Sequence, residues 1–125
     1  MKNLKFEILL DFYNCFLTEK QIEVMEQYYS QDLSLSEISE NLGITRQGVR
    51  DNIKRAESLL LEFEEKIGAV QRYNDTLKLI QDIGKEAHAI AKDAYQSGNY
   101  KIYEQAKRIL EHLNVAREGI VEVES

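Results

Sequence analysis

Between residues 46 and 55 the chain sets Arg46, Arg50, Lys54 and Arg55 against one acid, Asp51, a local balance of +3 in a protein of formal net charge −6. The other 115 residues therefore carry −9. Guanidinium and ammonium groups gathered in this way can displace counterions from a phosphate backbone. Arg46 and Arg50 have the donor fork that grips a guanine edge or a phosphate, and Gln47 has the amide that pairs with an adenine edge. Lys54 and Arg55 lie farther along and are expected to hold the backbone, a contact that positions a protein on DNA without reading sequence. The competing reading is the solvated face of an amphipathic helix. Its sign argues against that, because a solvated face in this chain would be mixed or acidic.

These residues act together only if one element presents them. At 100° per residue, Val49, Ile53, Ala56 and Leu60 fall on one side of a helix, with Gln47, Arg50, Asp51, Lys54 and Arg55 roughly opposite. Arg46 lies nearer the apolar seam, at the N-terminal end, where it joins the free helix amides. Thr45 caps the start of this helix, with Ile44 and Val49 as a hydrophobic staple. Gly48 stands where a capping box would carry Glu or Gln and is expected to leave the first turn bare on its exposed side. Upstream, Ser34 with Glu37 and Thr18 with Gln21 form capping boxes, stapled by Leu33 with Ile38 and by Leu17 with Ile22. The spacing predicts helices at about 19–30, 35–42 and 46–67, with Gly43 as the left-handed stop of the short one. A short helix, the break Gly43-Ile44-Thr45 and a longer helix with a basic exposed side describe a helix-turn-helix.

A helix from about 4 to 16 precedes them, with Phe6, Leu9, Leu10, Tyr13, Phe16 and Leu17 on its apolar side. Cys15 falls in that stretch and is expected as a small core residue. Beyond residue 69, Val70, Tyr73, Leu77, Ile80, Gly84, Ala87, Ala91 and Ala94 keep the four-and-three spacing of a heptad seam. Ser97, Gly98 and Asn99 make a turn. A last helix, about 100–118, follows with Ile102, Tyr103, Ala106, Ile109, Leu110 and Leu113 on one side. Two arrangements fit: an antiparallel αα-hairpin packed on itself or on the first domain, or a seam buried against a second subunit. Strand signals are nearly absent, so the fold class is all-α. The expected division is 1–68 as a helix-turn-helix domain and 69–125 as a C-terminal helical hairpin and candidate dimerisation element.

The run LTEKQIEVMEQYYSQDLSLSEISENLGITRQGVRDNIKRAESLL resembles the promoter-reading C-terminal region of bacterial sigma factors. The blocks DFYNCFLTEKQ, YYSQDLSLSEI and TRQGVRDNIKRAESLLLEFEEKIG are more closely similar to the YlxM family of small bacterial helix-turn-helix proteins, over about residues 6–68. This resemblance implies a sigma-like DNA-binding fold, a regulatory role with double-stranded DNA as partner, and a link through gene neighbourhood to the signal recognition particle pathway. A single module with three or four cationic contacts binds DNA at about 10⁻⁴ to 10⁻⁶ M. A homodimer through the C-terminal helices is therefore expected to accompany tight binding. The alternative function is an adaptor, the same module serving as a protein-binding accessory of the signal recognition particle.

Composition narrows the remaining classes. Among 125 residues there is no proline and one cysteine, which excludes proline-rich and collagen-like chains and any internal disulfide. No basic-then-apolar leader and no apolar run of about 18 residues is visible, so a cytoplasmic protein without membrane contact is expected. His88 and His112 stand 24 residues apart without a partner motif. No phosphate loop, dinucleotide fingerprint or metal spacing occurs, so neither an enzyme nor a cofactor is expected. Glu62, Glu64 and Glu65 read as a solvated helix face.

Overall fold

The computed structural model describes residues 2–124. Six α-helices run in order as α1 (Leu4–Tyr13), α2 (Glu19–Met25), α3 (Leu35–Leu42), α4 (Arg46–Ile67), α5 (Ala69–Gln96) and α6 (Tyr100–Glu124), with no strand among the described residues. The chain divides into two compact units, Met1–Val70 and Gln71–Ser125.

In the first unit each helix begins where its cap dictates. Thr18 and Ser34 accept the amides of Gln21 and Glu37, whose side chains reach back to the cap amides, so both capping boxes are complete. Asn3 opens α1 by accepting the Lys5 amide at 2.9 Å. Leu9, Leu10, Tyr13, Val24, Met25, Ile38, Val49, Ile53, Ala56 and Leu60 converge in one core, to which α4 contributes four residues. Each fully buried aliphatic side chain contributes about 1.5–3 kcal/mol, so this convergence fixes how α4 is rolled.

Two departures from the expected first helix share one cause. The α-helix stops at Tyr13, and Asn14–Phe16 form a 3₁₀ turn, whose tighter winding of three residues per turn shifts the phase of the side chains. Leu17 still re-enters the core, but Phe16 is 57% exposed and Cys15 is exposed rather than a core residue. The Phe16 ring lies 5.3 Å from Phe63 at the edge of the core.

The expected helix at 19–30 also has two parts, an α-helix to Met25 and one wide turn over Glu26–Ser30, closed by the Gln31 amide on the Glu26 carbonyl at 3.0 Å. Asp32 then takes a left-handed conformation, φ 54°. Lys2 holds this connection. Its ammonium donates to the carbonyls of Tyr28 and Leu33 at 2.6 Å each and pairs with Asp32 at 3.2 Å.

The second unit is an αα-hairpin. Asn99 accepts the Ile102 amide at the start of α6, and Gly98 turns the chain with φ 76°. Ala87, Ala91 and Ala94 of α5 and Ala106 of α6 are buried, so the small end of the heptad seam is used within the chain. Of the residues expected on the inner side of α6, Tyr103, Leu110 and Leu113 are half-buried and Ala106 is buried. Ile102 and Ile109 are exposed, because α6 meets α5 along Ala106 and Leu110 and leaves the flank of its apolar arc uncovered.

Candidate nucleic-acid interface

The break between α3 and α4 is built by backbone chemistry. Gly43 ends α3 at φ 66°, ψ 33°, a conformation that costs an L residue roughly 1–2 kcal/mol. Ile44 turns inward, half-buried, and Thr45 caps α4 by accepting the Gly48 amide at 3.0 Å. A Cβ at Gly48 would meet the Thr45 hydroxyl at 3.2 Å and Ile44 Cδ1 at 4.0 Å. Gly48 is half-buried and makes room for the cap, so it is not the bare, outward-facing position expected of it.

Val49, Ile53, Ala56 and Leu60 are buried, and the roll of α4 that buries them leaves Arg46, Gln47, Arg50, Lys54 and Arg55 exposed. At 1.5 Å rise per residue these five extend over about 14 Å of helix. None of the four cations forms an ion pair with another described residue. Their donors face solvent. Lys54 and Arg55 also line a shallow depression of about 420 Å³ with Gln21, Ser58 and Leu59, which sets them apart from Arg46, Gln47 and Arg50 at the start of the helix.

Gln47 is not idle: its amide nitrogen donates to Asp51 Oδ1 at 2.9 Å, one helical turn away. This pair was not singled out from the sequence, although the four-residue spacing of an amide and a carboxylate is its signal. Asn52 is also committed, donating to the Gly48 carbonyl at 2.9 Å. On α3, the Ser34 backbone amide and hydroxyl hold the Glu37 carboxyl below the usual carboxylate range. Glu40 is exposed on the same helix.

The C-terminal half of α4 corrects one reading of its acids. Glu62 pairs with Lys66 at 2.7 Å on the surface, and Glu65 is exposed. Glu64 is instead half-buried: it accepts the Tyr13 hydroxyl, and its Oε1 accepts the Val70 amide at 3.1 Å. Glu57 likewise accepts the Tyr29 hydroxyl. Both acids anchor α4 to earlier helices. No cluster of metal-binding side chains occurs among the described residues. His88 and His112 are both exposed. No described helix is long and apolar enough to cross a membrane.

A family model described as UPF0122, "Putative helix-turn-helix protein, YlxM / p13 like", matches residues 1–99. A UPF0122 protein of Thermoanaerobacter sp. (strain X514) is 45% identical over 108 residues, covering 86% of this chain and 92% of its own length. Another, from Thermoanaerobacter pseudethanolicus, is 46% identical over 107 residues, with 86% and 92% covered. One from Desulforamulus reducens is 37% identical over 117 residues, covering 93% of this chain and 96% of its own.

Proposed function

The chain belongs to the UPF0122 family of YlxM/p13-like helix-turn-helix proteins, and from that premise we propose that it is a non-enzymatic, DNA-binding regulatory protein that reads duplex DNA with α4. The observation that carries this reading is the set of four unpaired cations, Arg46, Arg50, Lys54 and Arg55, on one exposed side of a helix whose other side is locked in the core. Arg46, Gln47 and Arg50 reach base edges or flanking phosphates from the N-terminal turn, and Lys54 and Arg55 hold the backbone.

Tight binding then needs two copies. Leu79, Ile83 and Ile90 on α5 and Ile102 and Ile109 on α6 are 39–59% exposed. At 100° per residue the three on α5 lie well away from Lys78, Lys85 and Lys92, and this apolar flank is the surface proposed to join a second copy. A dimer would place two recognition helices on half-sites about 34 Å apart.

The test is duplex binding by fluorescence anisotropy at several salt concentrations, beside sedimentation velocity. Four phosphate contacts per module give a slope of log K on log salt of about −3 to −4. The triple substitution Arg46→Ala, Arg50→Ala, Lys54→Ala should abolish binding with helicity unchanged. A folded dimer that binds no duplex at low salt overturns the proposal. That result would turn attention to the adaptor alternative and the components of the signal recognition particle.

A further inference from the structure

The α5–α6 hairpin opens into a groove of about 830 Å³, walled by α5 from Asn74 to His88 and by Leu110, Leu113 and Arg117 of α6. A depression of about 450 Å³ continues it past Lys92 to Tyr95, Tyr103 and Lys107, sharing His88 and Leu110. The floor is apolar: Leu77, Ile80, Leu110 and Leu113 are half-buried, and a Cβ at Gly84 would sit 3.8 Å from Leu113 Cδ1.

The charge on the rim is one-sided. Lys78, Lys85, Lys92, Lys107 and Arg117 line the two depressions, and among the described residues no Asp or Glu does. Residues 71–125 carry nine acids against eight bases, so the segregation is not a reflection of composition. Lys78, Lys85 and Lys92 recur every seven residues, which sets them on one side of α5 at intervals of about 10.5 Å. A phosphate backbone would satisfy the rim and leave the apolar floor wet. An amphipathic helix satisfies both, with its apolar stripe on the floor and carboxylates on the two rims. A second copy fits poorly, because a two-fold interface sets the same patch on both subunits and would face five cations with their own copies.

We propose that the α5–α6 groove docks an amphipathic helix of a partner protein whose apolar stripe is flanked by Asp and Glu. The α5 wall spans about 21 Å, the length of a helix of about 14 residues. The docking is independent of DNA reading by α4.

The experiment uses the full chain and two fluorescein-labelled 18-residue helical peptides with leucine at heptad positions a and d. One carries Glu at e and g, and its isomer carries Lys there. The acidic peptide should bind at least tenfold more tightly than the Lys isomer, and Lys85→Glu with Lys92→Glu should reverse that preference. Both lysines are exposed, and circular dichroism checks that the variant folds. Equal affinity for the two peptides, or binding of neither, overturns the proposal. It is also overturned if the double variant weakens binding of duplex DNA or single-stranded RNA and leaves peptide binding unchanged, which would make the groove a nucleic-acid surface. A dimer that the double variant dissolves would assign the groove to a second copy and overturn it as well.

Discussion

The Tyr13 hydroxyl donates to the Glu64 carboxylate across 51 residues of sequence and at the same time accepts the Ala69 amide at 3.0 Å. Glu64 Oε1 takes the next amide, that of Val70. A side chain of α1 and one of α4 thus close the first turn of α5, which follows Gly68, φ 67°. The phenol is buried, and burial first, then the Glu64 bond, raises its pKa.

Tyr13→Phe keeps the ring in the core and removes the hydroxyl, leaving the Ala69 amide without its acceptor. Loss of one half-buried partner costs about 1–3 kcal/mol. Urea denaturation should show the lower midpoint with an unchanged slope. A midpoint equal to that of the parent chain would remove the hydroxyl from any role in holding the junction.

Alkaline pH should weaken the fold through Tyr13 and Tyr29. Burial, followed by the bonds to Glu64 and Glu57, raises both phenols above their ordinary 10.0. The folded chain therefore keeps protons that the unfolded chain has lost. The stability they contribute is whole below pH 10 and is lost as pH rises beyond it. In urea titrations from pH 8 to 11.5, Tyr29→Phe should lose stability less steeply than the parent. Parallel slopes would refute the assignment.

Gly43 has open space around a would-be Cβ, so Gly43→Ala meets no clash and its cost is backbone strain alone, about 1–2 kcal/mol. Gly43→Asn should cost less, because Asn tolerates the left-handed region. Thermal unfolding of the two variants ranks them. An Ala variant as stable as the parent would show that the turn had found another conformation.

Asp51 restrains the proposed interface in two ways, by occupying the Gln47 amide and by placing an anion among the cations. Asp51→Asn should raise duplex affinity about 3- to 10-fold at low salt, as expected from removing one surface charge of the wrong sign near phosphates. The gain should shrink as salt increases. Unchanged affinity in anisotropy titrations at 50 mM salt would place Asp51, and with it Gln47, away from the DNA.

The local signals alone determined where most helices start and stop. Thr18, Ser34 and Thr45 cap, Gly43 and Gly98 turn, and Val49, Ile53, Ala56 and Leu60 choose the buried side of α4, which by subtraction exposes Arg46, Gln47, Arg50, Lys54 and Arg55. Those are legible because a cap, a left-handed glycine and a 3.6-residue period act within a few residues of themselves. Tertiary structure decided what depends on distant partners. The 3₁₀ turn after Tyr13 put Cys15 and Phe16 outside, and the Tyr13 hydroxyl drew Glu64 from the solvated face to the junction. The one-sided charge of the α5–α6 groove exists only because α6 packs against α5, bringing Arg117 to the groove that Lys78 and Lys85 line and Lys107 to the depression that Lys92 lines. Sequence spacing assigns a side chain to a face of its own helix. Only the packing of two helices fixes which faces meet, and so which charges share a groove.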